Sequence, residues 1–236
     1  MWLPGVRTHA APPLAAVRLV LEASALCLSR ACAAHRSEKG GIARRLSRRQ
    51  PGDVVLFIDW TLLRLFPPLR AAWSRRGEPA LVPITGQNAK RVLFGAINLQ
   101  TGHRVVLIRK RAGGAEARAF FEELRRRYRQ AGRLWLLLDR ASAHTNDKTL
   151  RLADELRIEL VWLPKQWPEL NAMDQLWKEL KRLIAANRQA TSIDTLAQEA
   201  ADWILTLNTQ DALRKAGILS PHFWLKNLLQ NLWQPT

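Results

Sequence analysis

The sequence is poor in cysteine, in acidic residues and in long apolar runs, and each shortage excludes a class of protein. Its 236 residues include only two cysteines, Cys27 and Cys32, which are too few for a disulfide framework or a tetrahedral metal site. No stretch reaches the roughly 18 consecutive apolar residues of a membrane span. The Ala- and Leu-rich stretch 10–34 is interrupted by Arg18 and Glu22, which disfavours a signal peptide. We therefore expect a cytoplasmic protein with no membrane partner.

The shortage of acids leaves a large positive charge. Lys and Arg total 37 against 20 Asp and Glu, which gives a formal net charge of +17 and a pI near 11.3. Such an excess of positive charge destabilises the folded chain by electrostatic repulsion unless a polyanion binds to it. Nucleic acid is the first candidate and a membrane surface is the weaker one. The hydrophobic content of 47% suits one globular domain of ordinary size.

The first 50 residues differ from the rest. Pro12 and Pro13 precede a predicted helix from about residue 14 to residue 34. A basic, glycine-containing segment follows and predicts a linker. Its arginines are either a solvated tail or an arm that contacts phosphates, and the sequence favours neither reading.

Apolar runs and turn residues predict the main fold. Five runs are typical of strands, at 54–59, 90–98, 103–109, 134–139 and 158–163. Helical spacing is found at 116–130, at 147–156, after Asn171 and at 193–207. Thr101-Gly102 predicts a hairpin between the second and third strands, whereas the later strands join through helices, as parallel strands require. The prediction is an α/β fold, a mixed five-stranded sheet with helices on both faces.

Three aspartates stand where such a sheet can bring them together. Asp59 ends the first predicted strand, Asp139 ends the fourth, and Asp174 lies in the first turn of the helix that Asn171 caps. Sites in open α/β sheets form at the carboxyl ends of neighbouring strands. Clustered carboxylates repel each other, and Mg²⁺ or Mn²⁺ removes that penalty because such ions prefer oxygen ligands. Two ions about 4 Å apart can promote phosphodiester chemistry.

Asp174 could also have a purely structural role, and residues near the three acids are further candidates for metal or DNA binding. An acid in the first turn of a helix stabilises the helix dipole, so Asp174 alone could be purely structural. Glu169 is an alternative third ligand, although it precedes the helix cap. Candidate DNA contacts near the acids are two cations, one aromatic ring and one histidine: Arg140, Lys165, Trp167 and His144.

The motifs around the aspartates resemble a known family. The stretch 163–181, LPKQWPELNAMDQLWKELK, closely resembles the third-acid motif of bacterial insertion-sequence transposases related to mariner elements. The stretch 139–145, DRASAHT, resembles their second-acid motif, and FID at 57–59 resembles their first. The resemblance covers roughly residues 53–225.

This resemblance implies a DDE superfamily catalytic domain with a ribonuclease H-like fold. It further implies metal-dependent DNA cleavage at transposon ends and strand transfer into target DNA. Asp59, Asp139 and Asp174 would be the ligands of two Mg²⁺ or Mn²⁺ ions. The expected partners are transposon-end DNA, target DNA and a second copy of the chain, in the bacterial cytoplasm at the nucleoid.

The same resemblance sets the expected domains and the alternatives. Residues 51–225 would be the catalytic domain, 1–50 a helix and basic linker left from a DNA-binding region, and 226–236 a tail. Trp60 stands where relatives often carry Glu, and the third acid is Asp rather than the more frequent Glu. The alternatives are an inactive, truncated transposase that only binds DNA, and another ribonuclease H-like nuclease.

Overall fold

The computed structural model describes residues 29–165 and 167–228. Most of the predicted N-terminal helix and the last part of the tail lie outside the described residues. Within the described ranges, no helix combines the length and the hydrophobicity that a membrane crossing requires.

A five-stranded mixed sheet forms the centre of the fold. The strands are β1 (Val54–Arg64), β2 (Lys90–Asn98), β3 (Arg104–Arg109), β4 (Leu134–Leu138) and β5 (Ile158–Trp162). Their order in space is β3-β2-β1-β4-β5. β2 pairs antiparallel with β1 and β3, whereas β4 pairs parallel with β1 and β5. The predicted mixed sheet, hairpin and parallel crossovers are confirmed.

Helices cover both faces of this sheet, as predicted. They are α1 (Ser29–Leu46), α2 (Gly114–Arg127), α3 (Ser142–Thr145), α4 (Asp147–Glu155), α5 (Ala172–Leu180), α6 (Ile193–Thr206) and α7 (Thr209–Lys215). A 3₁₀ turn at Pro168–Leu170 precedes α5, and a π-helical turn at Lys181–Ala185 follows it.

The sheet lies between two hydrophobic cores because alternate residues of a strand point to opposite faces. The core on one face, which we call the α5 core, includes Phe57, Leu93, Leu137, Leu176 and Ile204. The core on the other face, the α2 core, includes Leu56, Phe94, Leu136, Phe120 and Phe121. Odd-numbered residues of β1, β2 and β4 therefore face α5.

Two predicted boundaries were wrong. The predicted linker is helical, since α1 continues through it to Leu46. Ile42 and Leu46 are buried in the α5 core, and this packing offsets the low helix propensity of Gly40 and Gly41. Asp59 does not end its strand, because β1 continues to Arg64 in pairing with β2.

The described part of the C-terminal region packs on the sheet. The rings of Phe223 and Trp224 lie edge-on to Phe57, with centroids 6.2 and 6.4 Å away. Trp224 Nε1 donates a hydrogen bond of 3.0 Å to the carbonyl of Leu170, in the turn before α5. The described residues of this region therefore pack on the domain. The domain boundaries at residues 50 and 225 stay predictions.

Candidate active site

Asp59 and Asp139 lie side by side at one edge of the sheet. The parallel strands β1 and β4 pair Phe57 with Leu137, and the same register carried two residues further sets Asp59 beside Asp139. Phe57 and Leu137 both face the α5 core, so residues two positions later point the same way. Asp59 thus stands where β1 runs on beyond the end of β4.

Asn171 brings the third acid to the same place. Its side-chain oxygen accepts a hydrogen bond of 3.0 Å from Met173 N and so caps α5. Its Nδ2 donates a 2.9 Å bond to the carbonyl of Ile58, the neighbour of Asp59. One buried side chain therefore both starts the helix and ties that start to β1. Asp174, in the first turn, is held next to Asp59 as a result.

One cavity of about 560 Å³ collects most of the predicted site residues. Its lining includes the three acids and three of the predicted DNA contacts: Asp59, Asp139, Asp174, Arg140, Lys165 and Trp167. The alternative ligand Glu169 lies in the 3₁₀ turn and lines a different cavity, together with Lys39 and Lys215. The spatial convergence on which the predicted site depends is therefore present in the fold.

Asp59 is the most perturbed acid of the group. Its pKa is raised to about 7, first by burial and then by the neighbouring Asp174 and Asp139, because like charges oppose ionisation. The Trp60 backbone and Lys181 act on this pKa in the opposite direction. A cation placed among these carboxylates would relieve both the desolvation and the repulsion.

Hydrogen bonds from two neighbouring groups hold the Asp139 carboxylate in one orientation. His144 Nδ1 lies 3.1 Å from Asp139 Oδ1, and Ala141 N donates to the same oxygen over 3.2 Å. The hydrogen bond from His144 lowers the pKa of Asp139 despite partial burial. Because a carboxylate only accepts hydrogen bonds, Nδ1 carries the proton in this pair.

His144 itself is in a different position from the one expected for a DNA contact. Its side chain is 3% exposed while that of Asp139 is 58% exposed, and its ring stacks on Phe121 in the α2 core. The histidine therefore orients the acid from behind, and the acid faces the cavity.

Two lysines near the acids were missed in the sequence. Lys178 Nζ lies 2.9 Å from Asp174 Oδ2, although outside hydrogen-bond geometry, and that oxygen has no other partner among the described residues. Lys181 is half-buried, and burial lowers its pKa while Asp174 and Asp59 raise it. Their spacing of four and seven residues from Asp174, on one helix face, was the available signal.

The donor set of the site consists of carboxylate oxygens, which suit a hard divalent cation. Within the described residues, no three His, Cys, Asp or Glu side chains are already grouped around one point. Asp59, however, interacts electrostatically with both Asp174 and Asp139. Asp174 Oδ2 is buried and receives no hydrogen bond from the part of the chain that the structure describes. All three groups offer the oxygen ligands that Mg²⁺ and Mn²⁺ prefer. The carboxylate oxygens present therefore fit the chemistry of a hard divalent cation.

The cations and the aromatic ring predicted at the site border the acids. Arg140 and Lys165 are exposed, and Trp167 is half-buried with Lys39 Nζ of α1 5.5 Å from its ring centroid. Trp60, which follows Asp59 in β1, packs instead against the α2 core on the opposite face of the sheet. Arg140, Lys165 and Trp167 therefore lie where they could contact a nucleic-acid strand placed over the acids. Trp60 does not.

Family comparison agrees with this geometry. A family model described as DDE superfamily endonuclease matches residues 54–197, which include all three aspartates. The chain belongs to this family. The three acidic motifs predicted that the chain belongs to the DDE superfamily, and that prediction is confirmed.

Similar proteins include transposition proteins. The insertion element IS630 uncharacterized 39 kDa protein of Shigella sonnei is 27% identical over 180 residues, covering 74% of this chain and 51% of that protein. The chain thus spans about half the length of this relative. The Mos1 transposase paired-end complex with left transposon end matches with a TM-score of 0.66 and 15% identity, covering 91% of this chain and 67% of that one. A Mos1 mariner paired end complex with Mn matches with a TM-score of 0.65 and 14% identity, covering 90% and 66%.

These similarities test two parts of the prediction, the fold and the relation to insertion-sequence proteins. At about 15% identity the likeness to Mos1 concerns the fold, and it confirms the predicted ribonuclease H-like architecture. The relative from an insertion element confirms the predicted relation to insertion-sequence proteins.

Proposed function

We propose that this chain is the catalytic part of a transposase that cleaves DNA at the ends of an insertion sequence and joins them to target DNA. The observation that carries the proposal is the convergence of Asp59, Asp139 and Asp174 on one cavity bordered by exposed cations. We further infer action as a homodimer on DNA, at the bacterial nucleoid. The Mos1 paired-end complexes with a transposon end and with Mn support DNA and a divalent cation as partners.

Each residue of the site has a distinct task in this proposal. Asp59 would ligate two ions, sharing one with Asp139 and the other with Asp174. Bound Mg²⁺ or Mn²⁺ supplies Lewis-acid chemistry, which activates the attacking oxygen and stabilises the leaving oxygen of a phosphodiester. His144 holds the Asp139 carboxylate in place, and Asn171 holds the start of α5. Arg140 and Lys165 would hold the phosphates that flank the reacting one.

The experiment that tests the function is nicking of supercoiled plasmid by the full chain. Wild type is expected to nick in Mg²⁺ or Mn²⁺ and not in a chelator. A triple variant, D59N/D139N/D174N, is expected to lose nicking while it still binds DNA, because the surrounding cations remain. D154N, a change of an exposed acid on α4, serves as the matched control. Equal nicking by wild type and the triple variant would refute the proposal, and DNA binding without nicking by wild type would favour the inactive alternative.

A basic groove extends from the acids toward α1 and offers a path for DNA. A second cavity, of about 630 Å³, shares Arg140, Pro164 and Lys165 with the first. Its charged lining residues are three basic side chains and one acidic one: Arg45, Arg140, Lys165 and Glu38. Because Arg45 is ion-paired with Glu159, Arg140 and Lys165 are the cations available to phosphates in both cavities.

Neutralising these two cations should weaken DNA binding in a salt-dependent way. The variant R140Q/K165Q is expected to reduce the slope of log affinity against log salt by about 0.9 per lost phosphate contact on duplex DNA. The matched control is K148Q/R151Q, which removes the same charges from exposed positions on α4. Fluorescence anisotropy with labelled duplex at several salt concentrations measures the slope. A slope that changes equally in both variants would contradict the assigned path.

A further inference from the structure

A glycine lies directly beneath the acidic site. Gly95 occupies the middle of β2, a strand whose other central residues are buried and apolar. It pairs directly with Asp59 across β1 and β2, and directly paired residues of an antiparallel pair point to the same face of the sheet. Gly95 therefore leaves an empty position next to Asp59 on the face that α5 covers.

The helix that carries Asp174 fills that empty position. A Cβ atom at residue 95 would lie 2.5 Å from Met173 Cε, 2.5 Å from Trp177 Cζ2 and 2.8 Å from Trp177 Cη2. Ordinary contacts between carbon atoms lie at about 3.5 to 4.0 Å, so roughly 1 Å of displacement would be needed. A glycine inside a strand commonly marks such a close approach of another element.

A side chain at residue 95 would displace helix α5 rather than only a mobile side chain. The methyl end of Met173 can turn away, but Trp177 is a rigid ring that is 2% exposed and packed in the α5 core. The start of α5 is tied to β1 through Asn171. Because Asn171 is the fixed point, pressure on Trp177 would tilt α5 about Asn171 and displace Asp174, which lies between these two residues.

We propose that Gly95 is a positioning residue, whose missing side chain sets the depth of α5 on the sheet and thereby the separation of Asp174 from Asp59. The inference rests on the proposed function, since it concerns the shared metal ligands of that site. A misplacement of about 1 Å in a catalytic constellation can reduce turnover by about 10²-fold.

The test uses G95A, G95A/W177F and V92A in the full chain. G95A is expected to reduce Mg²⁺-dependent plasmid nicking by about 10²-fold and the affinity for Mn²⁺, measured by electron paramagnetic resonance, by about 10-fold. G95A/W177F shortens the ring that the new methyl group meets and should restore most of both losses. It also removes the Trp177 indole N–H, which has no hydrogen-bond partner among the described residues.

V92A is the control for a purely structural effect. Val92 is a buried residue of the same strand on the opposite face, in the α2 core. Its truncation should lower the melting temperature without changing Mn²⁺ affinity or nicking by the folded protein. A loss in V92A as large as that in G95A would overturn the positioning role.

The outcomes separate this inference from the proposed function. Nicking and Mn²⁺ binding by G95A at wild-type levels would overturn the inference, as would a folded G95A/W177F that stays as impaired as G95A. If G95A alone does not fold, the activity of the double variant decides in the same way. Wild type that fails to nick would contradict the proposed function, while the comparison of Mn²⁺ affinities would still test Gly95.

Discussion

Replacing Asp59 with asparagine is expected to stabilise the metal-free protein and, at the same time, to abolish its Mg²⁺-dependent cleavage of DNA. The two effects have one cause. Asp59 is buried beside two other acids, which raises its pKa to about 7, and its ionised form destabilises the fold unless a cation lies nearby. Asparagine keeps the shape and removes the charge. Loss of a central ligand should reduce nicking by at least about 10³-fold.

The stability gain should depend on pH in a defined direction. Below about pH 4, Asp59 is protonated in both the folded and the unfolded chain, so the substitution changes little. As the pH rises to about 7, the unfolded chain releases this proton while the folded chain keeps it, and the free energy of unfolding falls. Above about pH 7 the folded chain carries the full penalty. One pKa unit corresponds to about 1.4 kcal/mol, so above about pH 7 D59N should be more stable than wild type by about 2 to 4 kcal/mol.

The matched comparison is D139N, with urea unfolding at about pH 5 and about pH 8, with and without Mg²⁺. The pKa of Asp139 is lowered by His144, so its ionised form stabilises the fold at the higher pH. D139N should therefore lose nicking without gaining stability. Mg²⁺ should stabilise wild type most, D139N less, because it keeps the ligand pair of Asp59 and Asp174, and D59N least. A D59N protein that is less stable than wild type at about pH 8, or that nicks normally, would contradict the assignment.

The sequence predicted the sheet and its acids because both depend on local patterns. The apolar runs before Asp59 and Asp139 are short and continuous, as buried parallel strands require. The Asn171 cap fixed the start of α5 and so placed Asp174 in a first turn. These features are visible in a few neighbouring residues, and the resemblance of three motifs added the expectation of a metal site and of DNA cleavage.

The remaining parts of the site depend on contacts between distant segments. Nothing around Gly95 indicates that Trp177 will pack onto it, and nothing around His144 shows that its ring will lie behind Asp139. The end of α1 was misjudged for the same reason, since Ile42 and Leu46 become apolar anchors only once the α5 core exists. Tertiary packing overrides local propensity at these positions.

The net charge of +17 favours a polyanionic partner, but it does not assign individual cations to that partner. Arg104 is a buried arginine whose guanidinium bonds to backbone carbonyls. Nε donates to Ile204 over 3.1 Å, Nη2 to Leu205 over 3.0 Å, and Nη1 to Gly102 over 2.7 Å. Nη2 also contacts the carbonyl of Leu207.

These bonds make Arg104 a cap for the C-terminal end of α6. The last carbonyls of a helix have no donor within the helix, and a positive charge there interacts favourably with the helix dipole. Burial lowers the pKa of Arg104, but an arginine stays protonated in proteins. The side chain therefore joins β3 to α6 through charge-assisted hydrogen bonds.

The substitution R104M should accordingly lower the free energy of unfolding by about 2 to 4 kcal/mol, because it leaves the carbonyls at the end of α6, among them the buried one of Ile204, without this donor. R151M, at an exposed position on α4, removes the same charge and should change stability by less than about 0.5 kcal/mol. Urea unfolding followed by circular dichroism measures both. The folded fraction of R104M should bind DNA with an unchanged salt dependence, since this guanidinium does not reach a phosphate. A stability equal to that of R151M, or a salt slope reduced as for R140Q/K165Q, would show that Arg104 serves DNA rather than the fold.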